Sequence, residues 1–250
     1  MGTHVFRYLV DGELAVGQVR LLSNEDSHHL VRVVRRTPGD ELRLLDADGT
    51  IWPAVVVDAE MPASVRVTGP GAPAAERAPV HVYLGLLDWS RLDTAHAQLT
   101  ELGVPDVTIF SSERSGRIPK AEEWARRASR LDRVAESAAR QSAAAGLPNV
   151  RGVVPFDEVI QEIPTGHGYL LHPLSRTALA TALADGSGVP ACIVIGPEAG
   201  FSDDELDAAD AVGIPVCGLG ERVLRTGTAV VVAVSVALAA VGALGAGAGE

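Results

Sequence analysis

The stretch IVIGPEAGFSDDEL, residues 193–206, decides the fold. Three β-forming residues run into Gly196-Pro197-Glu198-Ala199-Gly200. Ser202 then opens a helix with Glu205 three residues on, the spacing of a capping box. An apolar strand that ends in a loop and restarts as a helix is the unit of a parallel α/β sheet. Gly196 and Gly200 let the backbone approach a ligand closely, beside the free N–H groups of the helix start. The loop is too short for a phosphate-binding P-loop and lacks GxGxxG, so neither that site nor a dinucleotide site is expected.

A second stretch has the same form. In VCGLGERVLRTGTAVVVAV, residues 216–234, a strand ends at Gly218-Leu219-Gly220. A polar loop then carries Arg222 and Arg225, and Thr226 and Thr228 start an apolar helix. Loops that follow parallel strands share the carboxyl edge of the sheet, where α/β proteins bind ligands. Upstream, strands (VHVYLGLL from Val80, VTIFSSERS from Val107, YLLHP from Tyr169) alternate with helical segments, and Gly103 is placed to end one of them. A long helix carries Trp124, Ala128, Leu131, Ala135 and Ala138 on one face, with Arg126, Arg130, Arg133 and Arg140 on another. An Arg stripe of this kind reads first as a solvated helix surface.

Residues 1–70 read instead as short strands, with hairpin-type turns at Pro38-Gly39-Asp40 and at residues 46–49. The expected organisation is a small β-barrel over 1–70, a Pro/Ala/Gly linker over 71–79 and an α/β domain over 80–250. His28 and His29, read as neighbours on a strand, would point to opposite faces, and no third ligand follows, so no metal site is expected.

The chain has 250 residues and a formal net charge of −11, from 21 Lys+Arg against 32 Asp+Glu. That balance argues against a surface built wholly to hold phosphate backbone. The one basic region is 113–140, with eight cations against five acids; residues 141–250 hold four against twelve. Cys192 and Cys217 lack CxxC spacing and read as small core residues. Residues 228–248 reach the length of a membrane span, yet they are small and have no basic or aromatic flanks, so a buried helix is expected and no membrane. The N-terminus carries charge too early for a signal-peptide core, which points to the cytoplasm.

Taken together, these motifs resemble the SPOUT class of S-adenosylmethionine-dependent methyltransferases, and within it the RsmE family, which methylates N3 of a uridine in 16S rRNA. IGPEAGFSDDE is similar to the family's IGPEGGF-S-x-x-E, and LGERVLRTGTA to its LG-x-R-[IV]-L-R-T-x-TA. HHLVRVVRRTPGDEL, TELGV and SSERS extend the likeness over nearly the whole chain. The resemblance implies a PUA-like barrel followed by a trefoil-knotted α/β domain, a homodimer, and S-adenosylmethionine as the cofactor with no metal.

It further implies a cofactor site at Leu171, His172 and Pro173, at Ile195, Gly196, Pro197, Glu198 and Gly200, and at Leu219, Gly220, Val223, Leu224, Arg225 and Thr226. Beside the resemblance, Glu198 and Arg225 are the candidate catalytic residues, Glu198 as base with Arg225 or Arg114 orienting the acceptor, and Arg114, Gln141 and Arg222 are candidate acceptor contacts; Glu198 reads equally as a loop-stabilising carboxylate.

The chain departs from the family pattern at Ala199 for Gly, at Ala143 to Ala145 where a basic residue is usual, at Gln98 for Lys, and at Gly227. Two of these are lost cations. With the acid excess they favour a small aromatic acceptor, such as an indole carbon, over 16S rRNA. A non-catalytic RNA-binding scaffold is the remaining alternative.

Overall fold

The computed structural model describes residues 6–46, 50–73, 79–142, 144, 146–186 and 190–244. The expected turn tip at 47–49, the linker at 74–78, Ala143, Ala145 and the chain end from 245 lie outside the described residues. The chain forms two compact units, Met1–Glu76 with Glu136–Gly146, and Arg77–Ala135 with Leu147–Glu250.

The first unit contains β1 (Arg7–Leu9), β2 (Val19–Leu21), α1 (Asn24–His28), β3 (Glu41–Leu45), β4 (Thr50–Asp58), β5 (Ser64–Val67) and β6 (Ala72–Pro73). Its sheet runs β1-β3-β4-β5-β2, with β6 on β4. Alternate residues of β4 and β5, among them Ala54, Val56, Val65 and Val67, enter its core with Tyr8 and Leu30. Residues 24–33 are not strand, as the sequence suggested, but a helical turn that continues into a π-helical turn at His29–Val33. Ser23 caps this segment by accepting the N–H of Asp26 at 3.0 Å, and Leu30 is buried. His28 and His29 are therefore helical neighbours, and the His29 ring meets the Tyr8 hydroxyl at 3.2 Å. Pro38-Gly39-Asp40 turns the chain from that segment into β3, with Gly39 at φ +93°. The hairpin is β3–β4, with Leu45 opposite Ile51.

The second unit contains β7 (Val80–Gly85), α2 (Trp89–Glu101), β8 (Asp106–Ser111), α3 (Ala121–Ser142, to Ala135), β9 (Asn149–Pro155), α4 (Phe156–Glu162), β10 (Gly168–Leu171), α5 (Leu179–Asp185), β11 (Ala191–Ile195), α6 (Asp203–Ala211), β12 (Val216–Cys217) and α7 (Thr226–Ala240). Every pairing in its sheet is parallel, in the order β12-β10-β11-β7-β8-β9. The alternation of side chains explains the near-continuous apolar strands. Val82, Leu84, Ile193 and Ile195 face a core shared with α2, α5 and α7. Tyr83, Cys192 and Val194 face a second core shared with α4 and α6. Gly103 ends the α2 region at φ +74°, as its position suggested.

β9 and α4 are not evident from the sequence, because Gly152 and Pro155 interrupt an edge strand that is only half-buried. Beyond Ala135, α3 belongs with the first unit, where Arg140 pairs with Glu25 at 3.1 Å and Asp26 at 3.4 Å. The last apolar helix ends at Ala240, and no helix among the described residues is long and apolar enough to cross a membrane.

Candidate functional site

Three loops build the site at the carboxyl ends of β10, β11 and β12. The loop after β10 and the loop after β12 are laced together: Ser175 Oγ donates to the Val216 carbonyl at 2.8 Å. The Gly218 N–H donates to the Thr177 carbonyl at 2.8 Å, and the Leu179 N–H to the Gly218 carbonyl at 3.0 Å. Gly218 has to be glycine here, since a Cβ would stand 2.6 Å from the Ser175 carbonyl oxygen.

The loop after β11 is pressed against the end of β7. A Cβ on Gly85 would lie 2.4 Å from the Pro197 nitrogen, and one on Gly196 would lie 2.8 Å from the Phe201 ring. Phe201 stacks with Phe110, with centroids 6.1 Å apart, and anchors the far end of the loop. Gly200 closes the turn at φ +71°, its N–H donating to the Pro197 carbonyl at 2.9 Å. Ala199 is outside the positive-φ region, so its methyl group is accommodated. The capping box is present: Ser202 Oγ accepts the Glu205 N–H, and the Glu205 carboxylate accepts the Ser202 N–H.

The laced loops enclose a cleft. Twelve of the fourteen expected cofactor residues line it: Leu171, His172 and Pro173; Ile195, Gly196, Pro197, Glu198 and Gly200; Leu219, Val223, Leu224 and Thr226. Gly220 supplies a turn at φ +106° and is not on the cleft wall. Arg225 stands at the N-cap of α7 and lines a second cavity beyond the 223–226 segment. Phe201, Cys217 and Ala229 also line the cleft without having been singled out, and so does Arg222, which was expected on the acceptor side. Burial pushes the Cys217 thiol up to about 11, so it is a neutral wall residue, not a nucleophile.

Two further cavities adjoin, of about 780 and 470 Å3, and Glu198 borders all three. Its carboxylate is ion-paired with Arg91, a residue that sequence reading missed because it sits in the polar first turn of α2. Arg91 also reaches Asp88 at 3.3 Å. Arg114 lines the third cavity with Trp89 and Arg117, and its guanidinium donates to the Ala199 carbonyl at 3.4 Å. Gln141 falls in the first unit, where it is exposed in the last turn of α3. Among the described residues no group of three or more His, Cys, Asp or Glu side chains could hold a metal. A cleft of apolar walls and loop backbone suits an uncharged ring and a zwitterionic tail better than an ion.

The all-parallel sheet, the laced loops and the cleft at its carboxyl edge define the SPOUT class of methyltransferase domains. A family profile described as the RNA methyltransferase domain matches residues 74–238, and one for the RNA methyltransferase PUA domain matches residues 22–65. Ribosomal RNA small subunit methyltransferase E of Mycobacterium bovis is 31% identical over 95% of this chain and 91% of its own length. Its Synechocystis namesake is 28% identical over 92% and 76%. The Neisseria gonorrhoeae enzyme of the same name, solved with S-adenosylmethionine bound, superposes with a TM-score of 0.78 at 26% identity, covering 94% of this chain and 98% of that one. The chain belongs to the RsmE family of RNA methyltransferases. None of these relatives supports the small aromatic acceptor that charge and departures had favoured.

Proposed function

We propose that this chain transfers a methyl group from S-adenosylmethionine to N3 of a uridine in 16S rRNA. The observation that carries the reading is the cleft itself, where the expected residues of three separate loops meet around one volume. The relatives named for small-subunit rRNA methylation and the donor bound in the Neisseria structure support it.

The donor, when bound, supplies a methyl group on a sulfonium, so the protein has to position the acceptor and accept a proton. Leu171, Pro173, Ile195, Leu219 and Leu224 give the donor's ring apolar walls. The loop backbone at 196–200 and 219–224 is placed to recognise its polar edges. Glu198, where the cavities meet, is the group assigned to take the N3 proton, with Arg225 and Arg114 orienting the acceptor. Around the three cavities the cations are Arg91, Arg114, Arg117, Arg222 and Arg225, against the carboxylates Asp88 and Glu198. The local field therefore suits RNA although the chain as a whole is acidic.

The active form is a homodimer in this reading. α7 carries no charged residue and leaves Val231, Val232 and Val236 only half-buried, an apolar face for a second copy. The test is expression in a bacterium lacking its own RsmE enzyme, followed by nucleoside analysis of 16S rRNA. Restored N3-methyluridine is expected; its absence from a strain making folded protein contradicts the proposal.

A further inference from the structure

Resting on the rRNA reading above, with Glu198 as the base, we propose that Arg91 is a further catalytic residue: it stabilises the negative charge that forms on the acceptor base as its N3 proton moves to Glu198. A carboxylate is a weaker base than the anion left by an imide N–H. The transfer therefore runs uphill unless a cation stands where the charge appears. That charge spreads from N3 onto the two flanking carbonyl oxygens, acceptors that a planar guanidinium fork fits.

Arg91 is the cation placed to do this. Among the described residues it is the one ion-paired with Glu198. Arg114 donates instead to the Ala199 carbonyl, and Arg225 stands at the N-cap of α7. Asp88 fixes Arg91 twice: Oδ1 accepts its backbone N–H at 3.0 Å as the N-cap of α2, and Oδ2 meets its guanidinium at 3.3 Å. Both carboxylates are met by the same nitrogen, Nη1, which leaves the other N–H donors of the fork for the acceptor. Arg91 and Glu198 line the second cavity together, and Glu198 also borders the donor cleft.

The step is an exchange of partners. The N3 proton passes to a Glu198 carboxylate oxygen, and the neutral acid releases Arg91 to the carbonyl oxygens of the base. N3 then uses the freed electron pair to bond to the methyl carbon of the donor. The carbon–sulfur bond breaks and its electron pair stays on sulfur, so the negative charge on the base and the positive charge on sulfur are lost together. Glu198 gives its proton to water and recovers Arg91. The exchange costs little because the ion pair is exposed, 57% at the Arg91 side chain and 46% at that of Glu198.

An acceptor with a more acidic N3–H tests the assignment, since its anion needs less stabilisation; fluorine at C5 of the uridine provides one. Single-turnover methylation is measured on 16S rRNA transcribed with uridine or with 5-fluorouridine, for the unaltered protein, Arg91→Gln and Arg91→Lys. Donor affinity is followed by calorimetry. Arg91→Gln is expected to slow methylation of the uridine transcript about a hundredfold, but of the 5-fluorouridine transcript only about tenfold. Arg91→Lys keeps the charge without the fork and is expected to lose about tenfold on the uridine transcript. Donor and RNA affinities stay within about twofold of the unaltered protein's, which separates a catalytic role from a structural one. If Arg91→Gln loses the same factor on both transcripts, or alters only RNA affinity, Arg91 does not stabilise the anion and the rRNA reading survives. If the unaltered protein methylates neither transcript, the reading beneath the proposal fails and the assignment falls with it.

Discussion

The Glu205 carboxylate joins two loops: Oε1 accepts the backbone N–H of Glu113, 92 positions before it, at 2.8 Å, while Oε2 accepts that of Ser202 at 2.9 Å. The first loop carries Arg114 and the second follows Glu198. A side chain that looks in the sequence like half of a capping box thus also fixes the acceptor loop to the donor loop. Both bonds are charge-assisted and the side chain is buried. Glu205→Ala is expected to lower stability by about 3 kcal/mol, and Glu205→Gln, which keeps one acceptor oxygen, by about half that. Urea unfolding midpoints measure both.

Gly85 is predicted to be more sensitive than any glycine whose Cβ would meet open space. Its added methyl would meet backbone at Pro197, which cannot rotate away, so the β11 loop has to move. Gly85→Ala is expected to weaken donor binding at least tenfold. Ala199→Gly is expected to change it less than twofold, since the residue already holds an ordinary φ. Calorimetric titration with S-adenosylmethionine separates the two.

His96 on α2 is 2% exposed, its Nε2 has no partner, and burial pulls its pKa down to about 4 from 6.5. The folded state therefore holds the neutral ring while the unfolded chain binds a proton. Its contribution is fully present above pH 6.5 and is lost as pH falls from 6.5 toward 4. The stability difference between the unaltered protein and His96→Gln should be flat above pH 6.5 and shrink by roughly 3 kcal/mol across that window. Chemical denaturation at a series of pH values reads it.

Cys192 and Cys217 are both buried, and burial raises each thiol to about 11. At pH 8 neither is expected to react with iodoacetamide in the folded protein, and both should react in denaturant. Mass spectrometry of the alkylated chain counts them.

The donor side was legible in the sequence because it is made by local rules. A glycine loop after an apolar strand, a cap at Ser202 and a helix start at Thr226 each show within a few residues. What stayed hidden depends on the third dimension. Arg91 reads as one more charge in a helical first turn until β7 brings it beside Glu198. Arg127, which the sequence reading did not single out, is buried, paired with Asp93 and stacked on the Trp89 ring. The turn at 24–33 was masked by β-branched residues whose helical start is set by the Ser23 cap. Net charge misled for the same reason. It counts Asp203, Asp204, Asp207 and Asp210 on α6 equally with Arg91, Arg114 and Arg225, although none of the four lines the site.

The central claim, methyl transfer to N3 of a 16S uridine, is tested most directly with purified protein, isotopically labelled S-adenosylmethionine and 16S rRNA from a strain lacking the modification. Digestion to nucleosides and mass analysis then locate the label. The account predicts labelled N3-methyluridine at one site, lost in Gly85→Ala. Label absent from the RNA but present on an added indole or other small aromatic compound would contradict it.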